Sequence, residues 1–134
     1  MGFAFPSGME LFFGSFRRPS PETMQKSMVV AFDIPELGIA FKAPFEGEED
    51  HTEFASLLAL LEFVDLNRKL FGDRALQIYG ANLRIVQQIN DGAVFASDYA
   101  PLLERALEYR KKYRYTLEWT PAKRNPAIQS PKAE

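Results

Sequence analysis

At 134 residues the chain is long enough to bury one hydrophobic core and too short for two ordinary domains. Apolar residues make up 46% and charged residues 25%, a globular composition that excludes disordered and fibrous classes. The net charge of -2 gives no overall pull towards nucleic acid, and the absence of cysteine excludes disulfides, thiolate metal sites and thiol nucleophiles.

The N-terminus has no basic start, long apolar stretch or small-residue cleavage site, and Pro6 stands where a myristoylation motif needs Ser or Thr. With no cysteine and no signal segment, a cytoplasmic protein is expected. Five of the twelve phenylalanines fall in the first sixteen residues (Phe3, Phe5, Phe12, Phe13 and Phe16), either to fill the core or to face a partner. Met9 to Phe16 predicts a first strand, bounded by Pro6-Ser7-Gly8 and Arg17-Arg18-Pro19. After a turn at Pro19 to Glu22, Ser27 to Asp33 and Gly38 to Phe45 predict a hairpin, with Pro35 setting the turn and Gly38 free to take a positive φ.

An acidic run, Glu46, Glu48, Glu49 and Asp50, leads into a helix capped by Asp50 or Thr52, with Glu53 in its first turn. Phe54, Leu57, Leu58, Leu61 and Val64 recur at helical spacing, Leu60 and Phe63 widen the stripe, and Ser56 and Asn67 fall away from it. The apolar run from Leu57 to Leu61 is flanked by Glu53, Glu62 and Asp65, far short of a membrane span. Gly72-Asp73 ends the helix; Ala75 to Tyr79 predicts a strand, followed by a second helix carrying Leu83, Val86 and Ile89, with Asn82 as its cap. A helix between successive strands implies a crossover and at least one parallel pair. Asn90-Asp91-Gly92 breaks this helix, a third begins near Ser97, and Tyr113 to Trp119 alternates like a last strand. The expected organisation is one domain over residues 1–120, with 121–134 a polar, loose tail.

Two blocks carry a family pattern. His51-Thr52-Glu53-Phe54-Ala55-Ser56-Leu57-Leu58-Ala59-Leu60-Leu61 resembles the first helix of ribonuclease H-like domains, and Ile78-Tyr79-Gly80-Ala81-Asn82-Leu83-Arg84-Ile85-Val86-Gln87-Gln88-Ile89-Asn90 resembles their fourth strand and second helix. Phe13-Gly14-Ser15 stands where the family shows Asp-Gly-Ser, and Trp119-Thr120-Pro121 with Arg124-Asn125-Pro126-Ala127 resembles the segment before its final Asp. The resemblance covers most of residues 9–129. It implies an α/β fold with a mixed five-stranded sheet in the order β-β-β-α-β-α-α-β and helices packed on it.

The family's chemistry uses carboxylates converging on two divalent ions. The positions that match these acids are Phe13, Glu53, Ala81 and Gln129, of which only Glu53 is acidic. Asp33 and Asp73 lie on the wrong elements to replace the missing acids, and Asn82 is a poor magnesium ligand. The expectation is therefore no catalytic residues, no metal and no cofactor. Glu53 has a second reading as a carboxylate that suits a helix N-terminus. His51, the only histidine, reads as a solvent-facing neighbour of the helix cap, and the dispersed glycines form no phosphate loop.

The leading functional reading is a non-catalytic module acting through protein contacts, with self-association through the aromatic N-terminus or a sheet edge. The alternative is binding of an RNA/DNA hybrid or single strand without cleavage, carried by Arg110, Lys111, Lys112, Arg114, Trp119, Lys123 and Arg124. The bland account of those cations is a solvated helix end, and of Trp119 core or sheet-edge packing. A metal-dependent nuclease is the third reading.

Overall fold

The computed structural model describes residues 8–19, 26–93 and 97–129. Phe3, Phe5, all but the first residue of the turn expected at Pro19 to Glu22 and the last five residues lie outside them; Pro19 itself ends β1. β1 (Met9–Pro19), β2 (Lys26–Ile34) and β3 (Ile39–Phe45) form an antiparallel meander. β4 (Leu76–Gly80) joins β1 in parallel and β5 (Tyr115–Trp119) joins β4 in parallel, giving the order β3-β2-β1-β4-β5. The helices are α1 (Glu49–Leu66), the single turn α2 (Arg68–Phe71), α3 (Leu83–Asp91) and α4 (Ala100–Lys112). The mixed five-stranded α/β architecture expected from the sequence is the one observed.

The period-2 side-chain alternation of β1 puts Met9, Leu11 and Phe13 on one face, where they are buried in a cluster with Ile78 of β4 and Phe54, Leu57, Leu61 and Val64 of α1. Phe12 and Tyr79, neighbours in register on the other face, stack with ring centroids 5.3 Å apart. Of the nine described phenylalanines, Phe13, Phe32, Phe54 and Phe71 are buried, four are partly buried, and Phe41 on the edge strand β3 is 39% exposed. Gly38 takes φ 67° and donates its N–H to the Pro35 carbonyl, closing the predicted hairpin.

Four local expectations are corrected. α1 starts earlier than predicted, with Glu48 at the cap and no side chain capping it; the Thr52 hydroxyl instead donates to the Glu48 carbonyl. Ser56 does not fall away from the apolar stripe. It is fully buried, donating to the Thr52 carbonyl and accepting the N–H of Ala31 in β2 at 3.3 Å, so a satisfied hydroxyl sits in the core without an orphaned polar group. His51 lies within α1, half-buried between the rings of Phe45 and Tyr99. The segment after residue 120 is no loose tail through residue 129: an exposed 3-10 turn at Ala122–Arg124 leads to a second at Pro126–Ile128 that packs on β1 and β2, and Asn125 and Ala127 are buried. Alternating hydrophobicity could not reveal this segment, because one buried asparagine anchors it. No helix among the described residues is long and apolar enough to cross a membrane.

Candidate functional site

The C-terminal end of β4 lies beside the middle of β1, with Phe13 in register with Gly80. The Phe13 ring is fully buried and occupies the space above the glycine: a Cβ on residue 80 would lie 2.6 Å from the ring's Cζ. Gly80 is therefore required by the phenylalanine, not by a special backbone angle. Ala81 follows, its carbonyl accepting the indole N–H of Trp119 at 3.1 Å, and Asn82 caps α3 by accepting the Ile85 N–H.

Two residues beyond Phe13 on β1, Ser15 donates both its N–H and its hydroxyl to Oε1 of Glu53, each at 2.9 Å. Glu53 is only 4% exposed, and its other oxygen is buried with no hydrogen-bond partner among the described residues. Burial disfavours the charged form and outweighs the two Ser15 hydrogen bonds, so the carboxyl pKa rises to about 7; Glu49 and Asp50 push it the same way. The reading of Glu53 as a helix-terminus charge is thus corrected. Its carboxyl ties α1 to β1, because the earlier start of α1 puts it past the first turn.

On the other side of β1, Asn125 donates to the Phe13 carbonyl at 2.9 Å and accepts the Ala127 N–H at 2.9 Å. Gln129 folds back, donating to the carbonyls of Ala122 and Asn125. A Cβ on Gly14 would lie 2.4 Å from Cγ2 of Ile128, so the glycine makes room for the C-terminal segment. Of the four positions singled out from the sequence, three are linked through β1: Phe13 lies on it, Glu53 joins by way of Ser15 and Gln129 by way of Asn125. Ala81 follows Gly80, the residue that meets Phe13, and its own carbonyl is taken by Trp119. Among the described residues, no three acidic or histidine side chains are grouped to hold a metal ion. Asp33 pairs with Phe12, the neighbour whose side chain faces away from that of Phe13.

Sequence reasoning missed Ser15, Gly80 and Asn125 as working parts of this region. Asn125-Pro126 carried a usable signal, since asparagine before proline favours a local turn.

The basic stretch does not form one surface. Arg110 lies over the Tyr115 ring at 4.7 Å and donates to Asn90, a packing role. Lys112 pairs with Asp65 at 2.8 Å, and Arg114 donates to the Asp73 carbonyl at the start of β5. Trp119 stands at the far end, 47% exposed, with Lys123 and Arg124 exposed in the following turn. Arg114 and Trp119 are separated by about 16 Å of extended chain. Lys111 is exposed on the last turn of α4.

No family model matches the sequence, and no curated protein matches it. Solved structures do resemble this fold. LC11-RNase H1, isolated from compost by a metagenomic approach, superposes with a TM-score of 0.68 at 14% identity, over 88% of this chain and 87% of that one. The same enzyme in complex with an RNA/DNA hybrid gives 0.69 at 13% identity, covering 88% of each chain. RNase H1 from the halophilic archaeon Halobacterium salinarum NRC-1 gives 0.64 at 15% identity, over 87% of this chain and 88% of that one. At these identities the likeness is one of architecture, and it agrees with the sheet order, the crossover helices and the sequence blocks: this chain has the ribonuclease H-like fold.

Proposed function

We propose that the chain is a non-catalytic ribonuclease H-like module that works by binding, with protein contact as its main role. The observation that carries this reading is the Phe13 ring packed over Gly80. A buried aromatic at that position gives a hard cation no oxygen ligand and excludes the water that would complete its shell. Glu53 supports the same reading, since its carboxyl is buried and hydrogen-bonded to Ser15. Half-exposed Phe41 on the edge strand and exposed Leu66 and Leu70 supply apolar surface for a protein partner or a second copy.

Incubation with an RNA/DNA hybrid and Mg²⁺ or Mn²⁺ tests the loss of chemistry. No cleavage above background is expected. Cleavage abolished by Glu53→Gln would overturn the proposal. Light scattering coupled to size exclusion tests self-association; a strict monomer at all concentrations directs the contact to a different protein.

A second reading, nucleic-acid binding without cleavage, rests on the exposed Trp119 with Lys123 and Arg124 in the next turn. An indole and two cations can hold a base and its phosphate. One similar structure holds an RNA/DNA hybrid. Retardation of a hybrid that weakens steeply with salt supports this reading, and no retardation at low salt removes it.

A further inference from the structure

The N-terminal ends of β4 and β5 lie at the opposite end of these strands from Phe13 and Gly80. There, Arg68 of α2, Arg74 before β4, Lys112 at the end of α4 and Arg114 before β5 converge on one depression of about 520 Å³. Asp73 is the only acid among the described residues of its lining, and Tyr113 forms part of the wall. A chain of net charge -2 has thus brought four cations from separate segments to one concavity.

Cations at a helix C-terminus are ordinarily explained by the helix dipole. That accounts for Lys112, which ends α4, but Arg68 opens the single turn α2, and Arg74 and Arg114 stand outside any helix. The cations are also ordered. One oxygen of Asp65 accepts from Arg68 at 3.2 Å, from Lys112 at 2.8 Å and from the Tyr113 hydroxyl, and the two cations each lie 5.9 Å from the centre of the Tyr113 ring. Glu36 orients Arg74, and the Asp73 carbonyl orients Arg114. A guanidinium carries five N–H donors and an ammonium three, so these acceptors, including both oxygens of Glu36 on Arg74, position the groups and leave further donors on each.

The flanks decide the size of the ligand. Asp65 and Glu108, together with Arg105, line the surface on the Lys112 side, and Glu10 and Glu36 line it beyond Arg74. An extended polyanion would run into these carboxylates, whereas a compact one fits between them. We propose that this depression binds a small phosphate-bearing anion of the diphosphate or triphosphate type, held by charge-assisted hydrogen bonds from Arg68, Arg74, Lys112 and Arg114. This site is independent of the Phe13 region and of the reading of the chain as non-catalytic.

The test titrates the full chain at low salt with pyrophosphate, with ATP and with a hybrid duplex, all without metal, by calorimetry and by amide NMR shifts. Saturable binding of pyrophosphate or ATP is expected, with shifts centred on Gly72, Tyr113 and Arg114. Equal affinity for the two probes assigns recognition to the phosphates alone; tighter ATP binding assigns it to a nucleotide. Arg114→Ala should weaken binding roughly tenfold or more, the scale of a lost charged hydrogen bond. Arg68→Gln, at a side chain 61% exposed, should do the same without threatening the fold. Lys42→Ala, at an exposed side chain on the edge strand β3, should leave affinity unchanged. The proposal is overturned by any of three results: no saturation with either compact probe up to about 10 mM, binding indifferent to Arg114→Ala and Arg68→Gln, or shifts produced by the duplex alone.

Discussion

Phe13 and Gly80 face each other across the parallel pairing of β1 and β4, and the ring fills the volume that a side chain on residue 80 would require. The two identities are one structural decision. A small residue on β4 admits a large one on β1, and the pair closes the sheet surface where the strands end.

Gly80→Ala should therefore destabilise the protein by about 1–3 kcal/mol, the usual cost of overpacking a core. The conflict is with a rigid ring that has no free space to swing into. Thermal denaturation would show a fall of roughly 4 °C per kcal/mol. Combining Gly80→Ala with Phe13→Leu should cost less than the sum of the two single changes, because the smaller side chain removes the clash. Strict additivity would refute the direct opposition.

Glu53 should make stability fall as pH rises. Its carboxyl titrates near 4.5 in the unfolded chain and at about 7 in the fold, so between these values the folded state holds the extra proton. The stabilisation is complete below about pH 4.5 and is lost as pH rises through 7, a swing of about 3 kcal/mol at most. Glu53→Gln cannot titrate and should lose this component. Urea denaturation of both proteins at pH 4.5, 6 and 8 would check it, the difference between them isolating Glu53 from other groups. Parallel pH profiles would contradict it.

Ser15→Ala should move the Glu53 pKa further up, because the Ser15 hydroxyl bond favours the ionised form and only the backbone N–H would remain. Carboxyl carbon NMR titration reads this directly. A downward shift would mean that the hydroxyl does not donate to the carboxylate.

Asn125→Ala should cost about 1–3 kcal/mol, since it leaves the buried Phe13 carbonyl and Ala127 N–H without their partner. Deleting residues 121–134 should cost more, because it also uncovers the sheet surface around Gly14. Unchanged denaturation midpoints for the truncated chain would restore the view of this segment as a tail.

The order of the elements was legible because side-chain periodicity is local. The alternation along Met9–Phe16 and the 3.6-residue recurrence of Phe54, Leu57, Leu58, Leu61 and Val64 are written in consecutive residues. Pro35 and Gly38 likewise announced the hairpin through backbone preferences of their own. The identities of Phe13, Glu53 and Ala81 were equally plain once the two family-like blocks were aligned.

Other features depend on which segments meet. Ser15 finds Glu53 across 38 residues, and Asn125 finds Phe13 across 112, separations over which no local preference carries information. Ser56 was misplaced for the same reason: polarity put it outside the apolar stripe, while the Ala31 N–H supplied by β2 lets it sit inside. The basic stretch shows the reverse effect. Residues close in the chain are carried to opposite ends of β5, and Arg68 and Arg74 join Lys112 and Arg114 from elsewhere. Local periodicity specified the strands and the helices, and the family-like blocks gave the expectation that acids are missing at Phe13, Ala81 and Gln129. The placement of the Phe13 ring over Gly80, the burial of Glu53 and the anchoring of the C-terminal segment came with the assembled fold, because register and long-range hydrogen bonds, not periodicity, set those contacts.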